Sequence, residues 1–135
     1  MGRFEILEHT ADVGLRAWGD DLPDVFETAT HALADISGTW SSGIGDPAAI
    51  EVHATDVEAV LVDWLNEVLW LQVSRDAVLT EVHVDRVDDS GAAGRVSLAP
   101  RDRELEGTAV KAVTYHQLEV ARDQRGWMAQ VFVDV

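Results

Sequence analysis

Apolar residues recur at intervals of three and four in two stretches of this chain, and at intervals of two in most of the rest. The first helical stretch carries Val25, Phe26, Ala29, Leu33 and Ile36 on one stripe. Asp21 stands where a capping oxygen belongs, Pro23 falls in the first turn where its missing N–H costs nothing, and Gly38 closes the end. The second stretch is stronger. Behind a capping Asp56, residues Val57, Val60, Leu61, Trp64, Leu65, Val68 and Leu69 predict a helix of about twenty residues, roughly 30 Å long, at the centre of the core. Alternation predicts short strands over 3–8 (RFEILE) and 12–19 (DVGLRAWG), the second setting Val13, Leu15 and Ala17 against Asp12, Gly14, Arg16 and Trp18. Asp12 and Arg16 therefore share a face. TWSSGIGDPAA reads as a loop and IEVHA as a short strand. Four further strands follow in VLTEVHVDRV, GRVSLAP, AVKAVTYHQLEVAR and GWMAQVFVDV, with DDSGAAG and RDQRG as turns and RDRELEG as a longer connection. The expected fold is α+β, two helices packed on one face of a mostly antiparallel sheet, in a single domain over residues 1–135.

Composition narrows the function. A chain of 135 residues with 47% hydrophobic content builds one core. No run of about 18 apolar residues offers a membrane span, and MGRFEILEH has no apolar signal region, so a cytoplasmic location is expected. With no cysteine, disulfides, thiol nucleophiles and thiolate metal sites are excluded, leaving oxygen and imidazole as metal ligands. The 25 acidic against 10 basic residues give a net charge of −15, which repels a phosphate backbone and argues against direct nucleic-acid binding. That surplus suits solubility, cation binding or docking to a basic partner.

Lys111 is the only lysine among the 10 basic residues, the others being arginine. An ammonium is a compact charge with a movable pKa, so a lone lysine in an arginine-using chain is a candidate for chemistry. Strict alternation through AVKAVTYHQLEVA places Val110, Ala112, Thr114, His116, Leu118 and Val120 on one face, and Lys111, Val113, Tyr115, Gln117 and Glu119 on the other. His116 then reads as a structural histidine on the more apolar face. His9 lies in the turn of EHTAD as a turn partner or a site residue, and His31, His53 and His83 show no ligand spacing. No GxSxG elbow, triad order, Walker loop or dinucleotide glycine pattern is present. What remains is carboxylates. If the last strand pairs with the strand opened by Asp12, then Asp12, Asp134 and the terminal carboxylate of Val135 converge, and three such oxygens suit a hard divalent cation.

EHTADVGLRAWG, DVEAVLVDWLNEVLWL, VKAVTYHQLEV and WMAQVFVDV resemble, in that order and spacing, the archease family, and the resemblance covers essentially the whole chain. It implies a small acidic protein that assists the GTP-dependent RNA ligase of tRNA splicing and RNA repair, promoting its guanylylation and turnover. It implies a metal site at Asp12, Asp134 and Val135, holding Ca²⁺ or alternatively Mg²⁺ or Mn²⁺, and a functional role for Lys111. The chain departs from the family at RELEG, where Glu104 stands in place of a common histidine beside Arg103. Two other classes stay open: a chaperone-like modulator of other tRNA-processing enzymes such as a tRNA methyltransferase, and a free-standing metal-dependent hydrolase, for which no evident base or phosphate-cradling loop is present.

Overall fold

The computed structural model describes residues 2–8, 12–102, 104–105 and 107–135, with the backbone alone for Glu8 and Asp12. Its elements run β1 (Arg3–Glu8), β2 (Asp12–Gly19), α1 (Leu22–Ser37), β3 (Asp46–His53), α2 (Val57–Arg75), β4 (Ala77–Asp88), β5 (Gly91–Pro100), β6 (Ala112–Asp123) and β7 (Gly126–Asp134). The α+β plan is the expected one, but the strands divide into two sheets rather than one. A four-stranded sheet has the order β1-β2-β7-β6, and a three-stranded sheet the order β3-β5-β4. Among the described residues every strand pairing is antiparallel, and one parallel bridge joins Trp40 to Leu79.

Both helices begin and end where the capping residues stand. The Asp21 carboxylate accepts the N–H of Asp24 at 2.8 Å, and Gly38 adopts the left-handed conformation (φ 68°) that lets its N–H reach the last carbonyls of α1. Asp56 accepts the N–H of Ala59 at 2.8 Å, and α2 closes on Asp76 in the same left-handed region (φ 49°). The helices then bridge the sheets. α1 lies on β1, β2 and β7 of the first and β4 of the second; α2 lies on β6 and on all three strands of the second.

Trp64 sits where these surfaces meet and is wholly buried. Its Nε1 donates to Thr30 Oγ1 at 3.0 Å, and that hydroxyl donates to the Phe26 carbonyl at 2.7 Å, so the indole ties the helices together without leaving its one polar atom unpaired. Gly94 in β5 makes room for the ring, since a Cβ there would lie 3.0 Å from Trp64 Cη2 and 2.3 Å from the His83 carbonyl oxygen. Trp64 shares one core with Phe26, Leu33, Leu65, Leu15, Val131, Leu79 and Val96.

Two local readings of the sequence are corrected. The expected loop before IEVHA is strand from Asp46 onward, because β3 is an edge strand and tolerates Pro47, which has no N–H to give a ladder. The turn within DDSGAAG is shorter than its composition suggests, as β4 ends at Asp88 and β5 starts at Gly91. Ser90 donates to Asp88 from both its N–H and its hydroxyl, which with Arg86 beside it draws the Asp88 carboxyl down to about 2.

Candidate functional site

The strands of the four-stranded sheet bring three separated sequence segments to one end. In the β2–β7 ladder Asp12 is the register partner of Asp134, and in the β6–β7 ladder Ala112 is the partner of the same Asp134. The N–H of Lys111 donates to the Asp134 carbonyl oxygen at 2.9 Å, which fixes the lysine backbone directly beside the end of β7. The pairing that the sequence left conditional is thus present in the backbone. Asp134 and Val135 are exposed, as is Lys111. Neither Lys111 nor Asp134 has an ion-pair partner among the described residues.

The sheet reaches this arrangement through its alternation. Leu15, Ala17, Ala129, Val131 and Val133 are fully buried beneath the helices, so Gly14, Arg16, Gln130, Phe132 and Asp134 occupy the opposite face. Phe132 is nonetheless only 5% exposed. Its ring lies over Gly14, where a Cβ would come within 2.7 Å, and the His116 ring meets it edge-on at 5.7 Å. Further along, Arg16 Nε donates to Gln130 Oε1 at 2.8 Å while Gln130 Nε2 donates to the Gln117 carbonyl at 2.9 Å.

Strict alternation in the segment around Lys111 does not hold. Between Thr114, opposite Phe132, and Glu119, opposite Gln130, the register slips, and Gln117 takes a positive φ of 50°. The bulge reverses which parity faces inward: Val113 is buried before it, and Leu118 and Val120 pack against the core after it. His116 consequently leaves the apolar side assigned to it and is exposed over Phe132. Lys111 precedes β6 instead of lying within it.

Asn66 was not singled out by any sequence pattern. From α2 its Nδ2 donates to the Val113 carbonyl at 3.2 Å, and its Oδ1 accepts the Val113 N–H at 2.9 Å. It stands in for a neighbouring strand on the free edge of β6, two residues from Lys111. The other histidines are elsewhere: His31 stacks on Trp40 at 4.1 Å, and His53 and His83 lie beside carboxylates in β3 and β4. His9 and Arg103 fall outside the described residues, and so does the side chain of Asp12. Among the described residues no three His, Asp or Glu side chains gather as a metal cluster. The cation site expected from the sequence therefore needs the Asp12 side chain and the Val135 carboxylate in addition to Asp134. That donor set is all oxygen and fits a hard divalent cation. No described helix is long and apolar enough to cross a membrane.

Known proteins resemble this chain over nearly its whole length. A protein archease of Methanosarcina barkeri is 34% identical over 140 residues, covering 98% of this chain and 96% of its own. One from Pyrococcus furiosus is 34% identical over 143 residues, covering 100% of both. The solution structure of Methanobacterium thermoautotrophicum protein 1598 superposes with a TM-score of 0.78 at 28% identity, covering 98% of each chain. The Thermotoga maritima structure described as an archease and possible chaperone shares the fold, with a TM-score of 0.67 at 23% identity, over 96% of this chain and 94% of its own. Residues 4–135 match the Archease protein family (MTH1598/TM1083), and the chain belongs to that family.

Proposed function

We propose that the protein is a cytoplasmic, non-enzymatic cofactor of a GTP-dependent RNA ligase, raising the ligase's guanylylation and turnover. The observation that carries the reading is the convergence of Asp12, Asp134 and Lys111 at one end of the four-stranded sheet in a chain of this family. Asp12, Asp134 and the terminal carboxylate of Val135 would hold a divalent cation, Ca²⁺ by preference. When bound, such an ion supplies positive charge that offsets the repulsion among the clustered carboxylates. The residues of the chain do the rest. The Asn66 clamp on Val113 and the Lys111 N–H on Asp134 hold the start of β6, and the exposed ammonium of Lys111 is presented to an anionic group of the partner. A net charge of −15 favours the ligase over its RNA as the surface recognised.

The test is guanylylation of the ligase with and without the protein, the protein alone serving as control. Faster formation of the ligase–guanylate adduct is expected. No stimulation, or turnover of RNA or nucleotide by the protein alone, contradicts the reading. Because opposite fields steer the encounter, stimulation should fall as ionic strength rises, once the ligase's own salt response is subtracted. Equal stimulation at low and high salt contradicts electrostatic docking, and a tight, salt-sensitive complex with free tRNA contradicts the exclusion of nucleic acid.

A second reading, a chaperone-like modulator of other tRNA-processing enzymes such as a tRNA methyltransferase, draws on Trp70 and Val73. These two are 61% and 78% exposed one turn apart on α2. Which enzyme is retained on the immobilised protein from native lysate separates the two readings.

A further inference from the structure

A cleft of about 530 Å³ opens between the C-terminal ends of both helices and the segment that leads into Lys111. This volume is in the range of small-ligand and anchor-residue pockets. Its walls are apolar: Leu69 and Val73 from α2, and Leu105 and Val110 from the segment before β6. Its floor is polar and buried. The Ser37 and Thr39 hydroxyls lie 2.9 Å apart, so one donates to the other while the second can donate to a carbonyl near the end of α1; both hydrogens are committed and acceptor lone pairs remain. Gln72 completes the floor. It is 7% exposed, and its carboxamide nitrogen is the one buried side-chain polar atom without a partner among the described residues. Native folds seldom leave such a donor unmet, because its desolvation is then uncompensated.

The rim is acidic. Among the described residues, Asp76 and Glu104 stand there with one cation, Arg101, which pairs with Asp76 at 3.3 Å. The C-terminal, negative ends of both helices border the cleft, and α1 has no basic residue in its last turn to offset its own.

An occupant that satisfies all three regions has an apolar body, a tip that both accepts and donates a hydrogen bond, and positive charge at its base. A phenol has the first two: its oxygen accepts from Gln72 Nε2, and its O–H donates to a floor hydroxyl. We propose that this cleft receives a tyrosine side chain carried on a basic segment of a protein partner. The site does not depend on which enzyme the protein serves. Its position gives occupancy a route to function, since the lining residues Ala109 and Val110 lead directly into Lys111, anchored on Asp134.

The test is titration of isotope-labelled, full-length protein with short capped peptides, followed by NMR. An Arg-Tyr-Arg peptide should shift the Thr39, Ala109 and Val110 amides and the Gln72 side-chain NH₂. It should bind about tenfold more tightly than Arg-Phe-Arg, the value of one well-made hydrogen bond. Gln72→Leu should erase that preference while leaving Arg-Phe-Arg unchanged, a pattern that general loss of structure cannot produce. Glu104→Gln, on the exposed rim, should weaken both arginine-flanked peptides equally. Glu-Tyr-Glu should bind more weakly than either. Equal binding of the tyrosine and phenylalanine peptides, shifts that map away from the cleft, or no shifts at millimolar peptide would overturn the proposal. So would p-cresol binding as tightly as Arg-Tyr-Arg, which would mark a small-molecule site instead of a docking pocket.

Discussion

Lys111→Ala should unfold within about 1 kcal/mol of the unmodified protein and yet fail to stimulate guanylylation of the ligase. The stability half rests on burial: Lys111 is exposed, makes no ion pair among the described residues, and precedes the strand whose packing comes from Val113, Leu118 and Val120. Its backbone N–H bond to the Asp134 carbonyl survives the substitution. The functional half rests on the ammonium, the only charged group lost with the side chain. Lys111→Arg keeps the charge but spreads it over a planar fork, so partial activity at best is expected. Urea denaturation and an adduct-formation assay measure the two halves. Full stimulation by Lys111→Ala removes the lysine from the account.

Trp64→Ala should cost about 3–5 kcal/mol, a large part of the stability of a single domain. The indole is fully buried, fills the space left by Gly94, and satisfies the Thr30 hydroxyl, so its removal leaves a cavity and an unpaired acceptor at the junction of both helices and both sheets. Trp64→Phe should cost less, because most of the volume is kept and one hydrogen bond is lost. The check is the urea midpoint at unchanged slope. A loss below about 1 kcal/mol for the alanine variant would mean that the core collapses around the site, and that Trp64 does not organise it.

The helices were legible in the sequence because their signals are local. Asp21, Pro23, Gly38 and Asp56 each act on backbone groups within a turn of themselves. Strand pairing is not local, which is why alternation found the strands but could not divide them between two sheets. The slip in β6 left a faint trace. β6 has 12 residues and β7 has 9, joined by a tight turn, so the longer strand must bulge somewhere. Nothing in TYHQ marks the place, since Gln117 has no special liking for a positive φ. The strand at Asp46 was hidden by Gly45 and Pro47, residues that break a central strand but not an edge. As for the candidate site, the isolation of Lys111 and the acidic ending were visible as composition. The pairing of Asp12 with Asp134 was visible only as a condition, because 121 intervening residues decide it. Asn66 carried no signal at all. Its role exists only once α2 lies beside β6.

In the function proposed, β2 and β7 bring Asp12, Asp134 and the Val135 carboxylate together to hold a divalent cation. Calorimetry with Ca²⁺ tests it most directly, on four proteins: unmodified, extended by one residue at the C-terminus, tagged at the N-terminus, and carrying Asp12→Asn. Extension turns the terminal carboxylate into a neutral peptide carbonyl, and Asp12→Asn removes one charge while keeping the shape and an oxygen. Affinity of oxygen sites follows ligand charge. Clear binding is expected from the unmodified and N-terminally tagged proteins, and weakened binding from the other two. Equal affinities in all four would contradict it.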